Sequence, residues 1–599
     1  MLVKSRLRLV PKVLGGYIFV QLSFGRQRGK SMKRILLIGA AVLVVVGLIT
    51  LTTQTPDKQA RYDLIVANGM IYDGSGGEPQ DADIGVIGDK IVVIGDLSAA
   101  NATNTIDANG KAVTPGFINV LSWATETLLV DGHGQSDIRQ GVTTEVFGEG
   151  WSMGPLNDEM VKASIEQQGD LKFDVPWTSL GGYLEHLEAK GVSPNVASFM
   201  GATTARIHVL GYEDRKATPD EIAQMQGLVA AAMEEGALGI GSSLIYAPSS
   251  YADTAELIAL METASGYGGM YISHMRSEGD RFEEAVAELI TIARETNAPA
   301  EIYHLKAAGT ANWHKMDKVI AMVEAARAEG LQITADMYTY TAGATGLDAM
   351  MPPRIQAGGY EAWAQRLQDP LIREQLIAEI ATPQASWENL YLAAGGADGL
   401  LLMGFKNPDL KPLTGKTLAE VAAMRGKGPI ETAMDLVIED GSRVGTAYFI
   451  MSEENIVKKI QQPWMSFGSD AGAPATELPF TLSGNHPRAY GNFARVYAKY
   501  VRDEGVLTLA DAVRKMTSLP AENLKLRERG RLKEGYFADI VVFDPDTIQD
   551  HSVFDNPHQY STGVNHVVVN GVQVLKDGDH TGATPGVALR GPGWIGWKK

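Results

Sequence analysis

From residue 114 to residue 520 the chain repeats one pattern, and that pattern leaves few architectures open. Short apolar runs of strand length alternate with longer stretches of helical period. The runs include PNVASFMGA, GALGIGSSLIY, GGMYISHM, APAEIYHLK and LQITADMYTY. Between them, Thr218-Pro219-Asp220-Glu221 is a capping box with proline at the first helical position, predicting a helix through Met233. Phe282, Val286, Leu289, Ile290 and Ala293 mark one apolar helix face after Asp280; Val319, Met322, Val323 and Ala326 mark another before Gly330. Such alternation calls for a parallel sheet covered by helices, and the length suits a (β/α)₈ TIM barrel with insertions. A doubly wound open sheet is the alternative, but no G-x-G-x-x-G follows an early strand.

The barrel text is bracketed by β text. YDLIVANGMIYDGSG reads as strand, turn at Asn68-Gly69, strand; DADIGVIGDKIVVIGD repeats the style. Near the other end, GRLKEGYFADIVVFDPD and VNHVVVNGVQVLKDG alternate in the same way, with a second such turn at Asn570-Gly571. The expected organisation is a small β domain begun by 62–113, a barrel over 114–520, and 521–599 as the second part of the β domain with a C-terminal tail. Chain ends often lie close together, so both flanks are expected to form one domain.

Before residue 60 the text differs. Lys33 and Arg34 precede an apolar run over 35–51. It exceeds the ~7–15 residues of a signal-peptide core and approaches the ~17–25 of a membrane span. No A-x-A cleavage pattern follows. The expectation is an uncleaved anchor over 32–54 with the protein exported, in a bacterium facing the periplasm; a cleaved signal, and a periplasmic or secreted protein, is the alternative. Residues 1–31 form a basic extension, and Met32 reads as an export start.

Two compositional facts narrow the chemistry. A net charge of −18 argues against a general nucleic-acid binder, which needs a basic face. The chain has no cysteine, which removes disulfides, thiolate ligands and a cysteine nucleophile. Any metal must be held by His, Asp, Glu or a modified Lys.

Of the eleven histidines, two are placed for such work. His274 in MYISHMR and His304 in EIYHLK each stand near the end of an apolar run. Barrel active sites form at the C-terminal ends of the strands, and neutral imidazole is the commonest metal nitrogen ligand. Asp470 in WMSFGSDAGAP places a carboxylate at another strand end, suited to act as a base towards metal-activated water. Arg488 and Lys306 are candidate clamps for a substrate carboxylate.

These motifs carry a likeness. The chain resembles the amidohydrolase superfamily, and within it the D-aminoacylases (N-acyl-D-amino-acid deacylases), from about residue 62 to 580. VTPGFIN, RQGVTTEVFGEG, GALGIGSSLIYAPSSY, YISHMRSEGD, YHLKAAG, TADMYTYTAG, GSDAGAP, HPRAYGNFARV and VRKMTSLPAENLKLRERGRLKEGYFADIVVFDP stand in the family's order. The resemblance implies a zinc-dependent barrel with one small β-sandwich built from both flanks. It implies that His274 and His304 bind metal, that Asp470 is the catalytic acid/base, and that Tyr246, Lys306, Tyr340 and Arg488 line the substrate pocket.

Two departures bear on the metal. Where the family has H-x-H after the first strand, this chain has Leu121 and Trp123. Where relatives read Gly-Asn-Cys-Gly after GVTT, it reads Gly148-Glu149-Gly150-Trp151, with Gly150 at the cysteine position. The expectation is a single zinc held by Glu149, His274 and His304, provided that a one-residue shift in strand register aims Glu149 inward. Trp123 is expected to fill the space left by the imidazoles. The expected function is deacylation of an N-acyl-(D-)amino acid. Two alternatives stand beside it: a membrane-tethered, non-catalytic binding protein on a decayed barrel, and a hydantoinase-like hydrolase of cyclic amides.

Overall fold

The computed structural model describes residues 11–14, 17–20, 61–383 and 386–598. The chain divides into two units, 1–60 and 61–599. In the first, Pro11–Leu14 pairs antiparallel with Tyr17–Val20. The expected anchor over 32–54 lies outside the described residues. Among the described residues no helix is long and apolar enough to cross a membrane.

In the second unit the alternating text closes into a barrel. Its eight parallel staves are Phe117–Asn119, Val142–Phe147, Asn195–Ser198 with Met200–Gly201, Gly239–Ser243, Met270–His274, Ala300–Ile302, Ile333–Met337 and Met465–Phe467. The third stave breaks at Phe199, its first half pairing with the second stave and its second half with the fourth. A parallel bridge between Ser122 and Ala471 joins last to first, and Asp470 N donates to Leu121 O at 2.9 Å.

Alternation along each stave sorts side chains into two layers. Ile118, Val120, Val146, Ala197, Met270, Ile272 and Tyr303 fill the barrel interior. Ala300, Ile302, Ile333, Ala335, Met337, Met465 and Phe467 face outward into the helical layer. The capping box forms as read, and its helix runs Pro219–Glu234. Helix Phe282–Thr296 buries the face expected of it, Phe282, Val286, Leu289, Ile290 and Ala293. Each large apolar side chain so buried contributes ~1.5–3 kcal/mol.

The β flanks meet. Ile540–Phe543 runs antiparallel to Ala112–Pro115, with Ile540 opposite Pro115 and Phe543 opposite Ala112. That seam joins the N-terminal and C-terminal strands into one sheet wrapped around a core of Leu64, Val66, Ile84, Ile106, Val542 and Val568. Asn570-Gly571 is the hairpin turn expected. Asn68-Gly69 is not a turn: Arg61–Ile71 is one strand, and Asn68, at φ 56°, sits in a bulge within it. A bulge and a tight turn both use a left-handed residue, so the dipeptide alone does not separate them. Helix Ser518–Asn523 spans the expected boundary at 520/521. The tail leaves the β domain and runs along the third stave, where Val196 N donates to Val587 O and Leu589 N donates to Val196 O.

Between the seventh and eighth staves lies an insertion that the sequence reading did not separate from the barrel. It holds an antiparallel sheet of Leu400–Gly404, Gly445–Phe449 and Ala342–Gly346. Its own core includes Leu347, Trp363, Leu402, Met434 and Tyr448. This insertion walls one side of the cavity above the barrel.

Candidate metal centre

Three side chains converge above the barrel, and simple alternation delivers only one of them. On Met270–His274, residues 270 and 272 point inward, so His274 does too. On the second stave Val146 points inward and Phe147 outward against Tyr183 and Leu184. Continued alternation sends Glu149 outward. The backbone prevents this at Gly148, where φ is 109°. The expected one-residue shift does exist on one side: Phe117 pairs with Val142 but Ile118 with Thr144. On the other side the ladder from Thr144 to Phe147 is continuous, so Gly148 makes the final reversal. His304 is the second exception. Ile302 faces outward, and His304 would follow it but for its own φ of 35°. Asp336 holds that bend: its Oδ1 accepts from His304 N at 3.0 Å and its carbonyl accepts from Leu305 N at 2.9 Å. Non-glycine residues in left-handed conformation store strain, which functional sites tolerate when their surroundings enforce it.

A side chain at 148 has no room. A Cβ there meets the Phe199 carbonyl oxygen at 2.5 Å. Gly148→Ala is expected to lower stability by about 2–5 kcal/mol through clash and strain and to displace Glu149. Denaturant midpoints and metal content of the purified variant check this together. At Gly150, the position aligned with the family's cysteine, a Cβ would lie 1.8 Å from Ser243 Oγ and 2.8 Å from Ser243 N, so this backbone has no room for a side chain there.

Glu149 Oε1 lies 3.0 Å from His274 Nδ1 and 2.9 Å from His304 Nε2. Among the described residues these three form the one group able to hold a metal, with ligand atoms within 4.8 Å of one another, all buried. A tetrahedral zinc with ~2.0–2.1 Å bonds separates its ligand atoms by roughly 3.3 Å, so the donors fit with small adjustments. The outer nitrogens face a second carboxylate: Glu278 Oε1 is 3.0 Å from His304 Nδ1, and Oε2 is 3.7 Å from His274 Nε2. For His304 this is the carboxylate–histidine arrangement that orients a metal-binding ring, while His274 Nε2 has no hydrogen-bond partner among the described residues. Burial opposes charge on His304, and Lys306 does too. Glu278 and Glu149 outweigh both, and the ring is pushed up to about 10. For Glu149, burial is outweighed by the two histidines, which hold it well below the ordinary carboxylate range.

The expected catalytic and substrate residues do not all reach the cavity. Asp470 and Arg488 face the cavity as a pair, Asp470 Oδ2 lying 2.9 Å from Arg488 Nη1. Asp470, at φ 49°, has its carboxyl raised by burial against the pull of Arg488. Arg488 Nε and Nη1 have no aligned hydrogen-bond acceptor. Tyr246 lines the cavity edge-on to His274, 5.2 Å between ring centres. Lys306 reaches the cavity with its charge engaged, Nζ donating to Glu278 at 2.6 Å. Tyr340 is not brought there: its hydroxyl donates to Asp550 and Arg495 stacks on its ring. Tyr338 takes that place, with the Arg488 guanidinium 4.4 Å over its ring. Alternation beyond the seventh stave ends at the insertion, and sequence did not locate that break.

Glu278 was missed altogether. Its signal was faint: a glutamate four residues after His274, in a stretch read for its histidine. Its loop is folded back by Glu388, which accepts from Ser277 Oγ at 2.7 Å and from Glu278 N at 3.2 Å. Trp123 was expected as filler. Its indole N–H donates to Glu149 Oε2 at 2.9 Å.

A closed parallel barrel with buried His, His and Glu at its C-terminal rim, lining together with a carboxylate–guanidinium pair a cavity of about 1160 Å³, defines a metal-dependent barrel hydrolase. The amidohydrolase family model matches residues 104–575. The chain is 34% identical to the D-aminoacylase of Alcaligenes xylosoxydans xylosoxydans, covering 88% of this chain and 97% of that protein. It superimposes with a TM-score of 0.73 on the N-acyl-D-glutamate deacylase of Bordetella bronchiseptica complexed with zinc and a phosphonate mimic of the tetrahedral intermediate. Identity there is 30%, covering 89% of this chain and all of that one. A D-aminoacylase described by one-metal activation and second-metal attenuation at a binuclear centre matches at 32% identity and TM-score 0.73, over 88% of this chain and all of that one. The chain belongs to the amidohydrolase family. It is a metal-dependent hydrolase acting on amide bonds, and the non-catalytic alternative is set aside.

Proposed function

We propose that the chain deacylates N-acyl-D-amino acids with one zinc ion held by Glu149, His274 and His304. The observation that carries this is the convergence of those three buried ligand atoms beside the Asp470–Arg488 pair. Leu121 and Trp123, at the family's H-x-H positions, offer no ligand, which favours one ion over two. When bound, zinc supplies Lewis-acid polarisation of the amide carbonyl and acidifies water. Asp470 takes the water's proton and returns it to the leaving nitrogen. Arg488, whose Nε and Nη1 lack an aligned acceptor, offers its guanidinium to the substrate's free carboxylate and so sets which amide reaches the centre. Tyr246 and Tyr338 wall the same space. Glu278 holds the His304 imidazole from behind.

The deciding experiment is turnover of a panel of N-acyl-D- and N-acyl-L-amino acids by zinc-loaded protein. Turnover confined to cyclic amides, or absent across the panel, overturns the reading. Within it, Arg488→Lys is expected to lower kcat/KM about 10- to 100-fold, mainly through KM, because lysine keeps the charge beside Asp470 but loses the fork. Steady-state kinetics on the best substrate checks it. The proposed location is outside the cytoplasm, by export through segment 32–54, and fractionation of the full chain tests whether that segment retains it on membranes.

A further inference from the structure

We propose that Trp123 is a positioning residue for the metal, clamping one oxygen of Glu149 so that only the other faces the histidines. The inference rests on the proposed zinc centre and adds to it a reason why glutamate can serve there. A carboxylate has two competent oxygens on a side chain with several rotatable bonds. Here it stands between Gly148 and Gly150, so neither sequence neighbour has a side chain to restrain it. The structure divides its oxygens cleanly. Oε1 meets His274 Nδ1 and His304 Nε2, while Oε2 receives the Trp123 indole N–H at 2.9 Å.

The backbone beneath the indole is itself anchored. Trp123 N donates to Ala471 O at 2.9 Å, and the neighbouring Ser122 bridges to Ala471 where the barrel closes. The backbone that carries the donor is therefore tied to the loop that carries Asp470. The two departures from the family pattern thus become one device. The residue at the second H-x-H position no longer binds metal and instead steers the carboxylate that supplies the third ligand. Trp123 is also 38% exposed, with its ring lining the cavity, so bulk and hydrogen bond must be separated by experiment.

Trp123→Phe keeps an aromatic ring and deletes the donor. In the full chain, zinc affinity measured by competition with a chromophoric chelator is expected to fall about 10- to 100-fold, the usual effect of removing a partner that orients a ligand. The visible spectrum of the cobalt-substituted protein is expected to change with it, since Glu149 becomes free to offer both oxygens. A Glu149→His background supplies the control, because a neutral imidazole has one acceptor nitrogen at about the reach of the carboxylate oxygen and needs no such clamp. There Trp123→Phe is expected to cost nothing. Wild-type zinc affinity and an unchanged cobalt spectrum in Trp123→Phe overturn the inference and leave the zinc centre standing. An equal loss in both backgrounds also overturns it, by showing that the indole acts through general packing. Failure of the wild type to bind zinc is a separate result, which removes the centre and the clamp together.

Discussion

His304→Asn should strip the protein of its metal and of its amidase activity in one step. Asparagine is the informative replacement because it tolerates the left-handed backbone that position 304 requires, at φ 35°, so lost ligation is not confused with backbone strain. Without the imidazole, Glu149 and His274 remain as two ligands, one short of the three that catalytic zinc sites use. The polarisation lost with the ion is worth several kcal/mol, so turnover should drop by roughly 10³–10⁴. Stability should fall as well. His304 stands between Glu149 and Glu278, and in the metal-free protein the two carboxylates keep its ring protonated at neutral pH. Removing that charge leaves buried carboxylates under-compensated, a loss of about 3–5 kcal/mol. Zinc per chain by elemental analysis, turnover and the denaturant midpoint together check the prediction. Full zinc content in the variant would refute the ligand set.

Asp470→Asn is expected to do the opposite to the metal and the same to the reaction. Zinc content should stay at the wild-type level, because Asp470 lies outside the ligand set. The left-handed backbone at 470 suits asparagine, so the fold should persist. With the proton carrier gone, kcat should fall by about 10²–10⁴. The wild-type rate should decline towards acid as the Asp470 carboxylate takes up a proton, at a pH above that of an ordinary aspartate because burial raises it. That acid limb should vanish from the variant's pH–rate profile. Loss of zinc in this variant would instead make Asp470 a ligand.

The contrast between the two variants also separates what the fold makes legible from what it conceals. His274 was readable from position alone, since it lies on the inward phase of a stave. Glu149 and His304 lie on the outward phase and reach the centre through local bends at Gly148 and at His304 itself. Periodicity cannot reveal such bends, because they are exceptions to it. Position at a strand end singles out His304, and Glu149 is expected where the family's cysteine is missing; the geometry explains how both arrive. Tyr340 and Tyr338 show the same limit. Two tyrosines two residues apart are equivalent in a motif, and only the path of the chain past the seventh stave decides which one faces the cavity.

By itself the sequence determined the barrel, the closure of both flanks into one β domain, and the helix faces. Those follow from periodicity, capping and turn chemistry, which act over a few residues and repeat. Tertiary structure alone decided that Glu149 turns inward, that Glu278 backs the His304 imidazole, that Lys306 is already engaged, and that Trp123 holds the oxygen Glu149 does not offer to the histidines. Each of these is a contact between residues far apart in the chain, or folded back by a loop, and no local rule reports where such atoms meet.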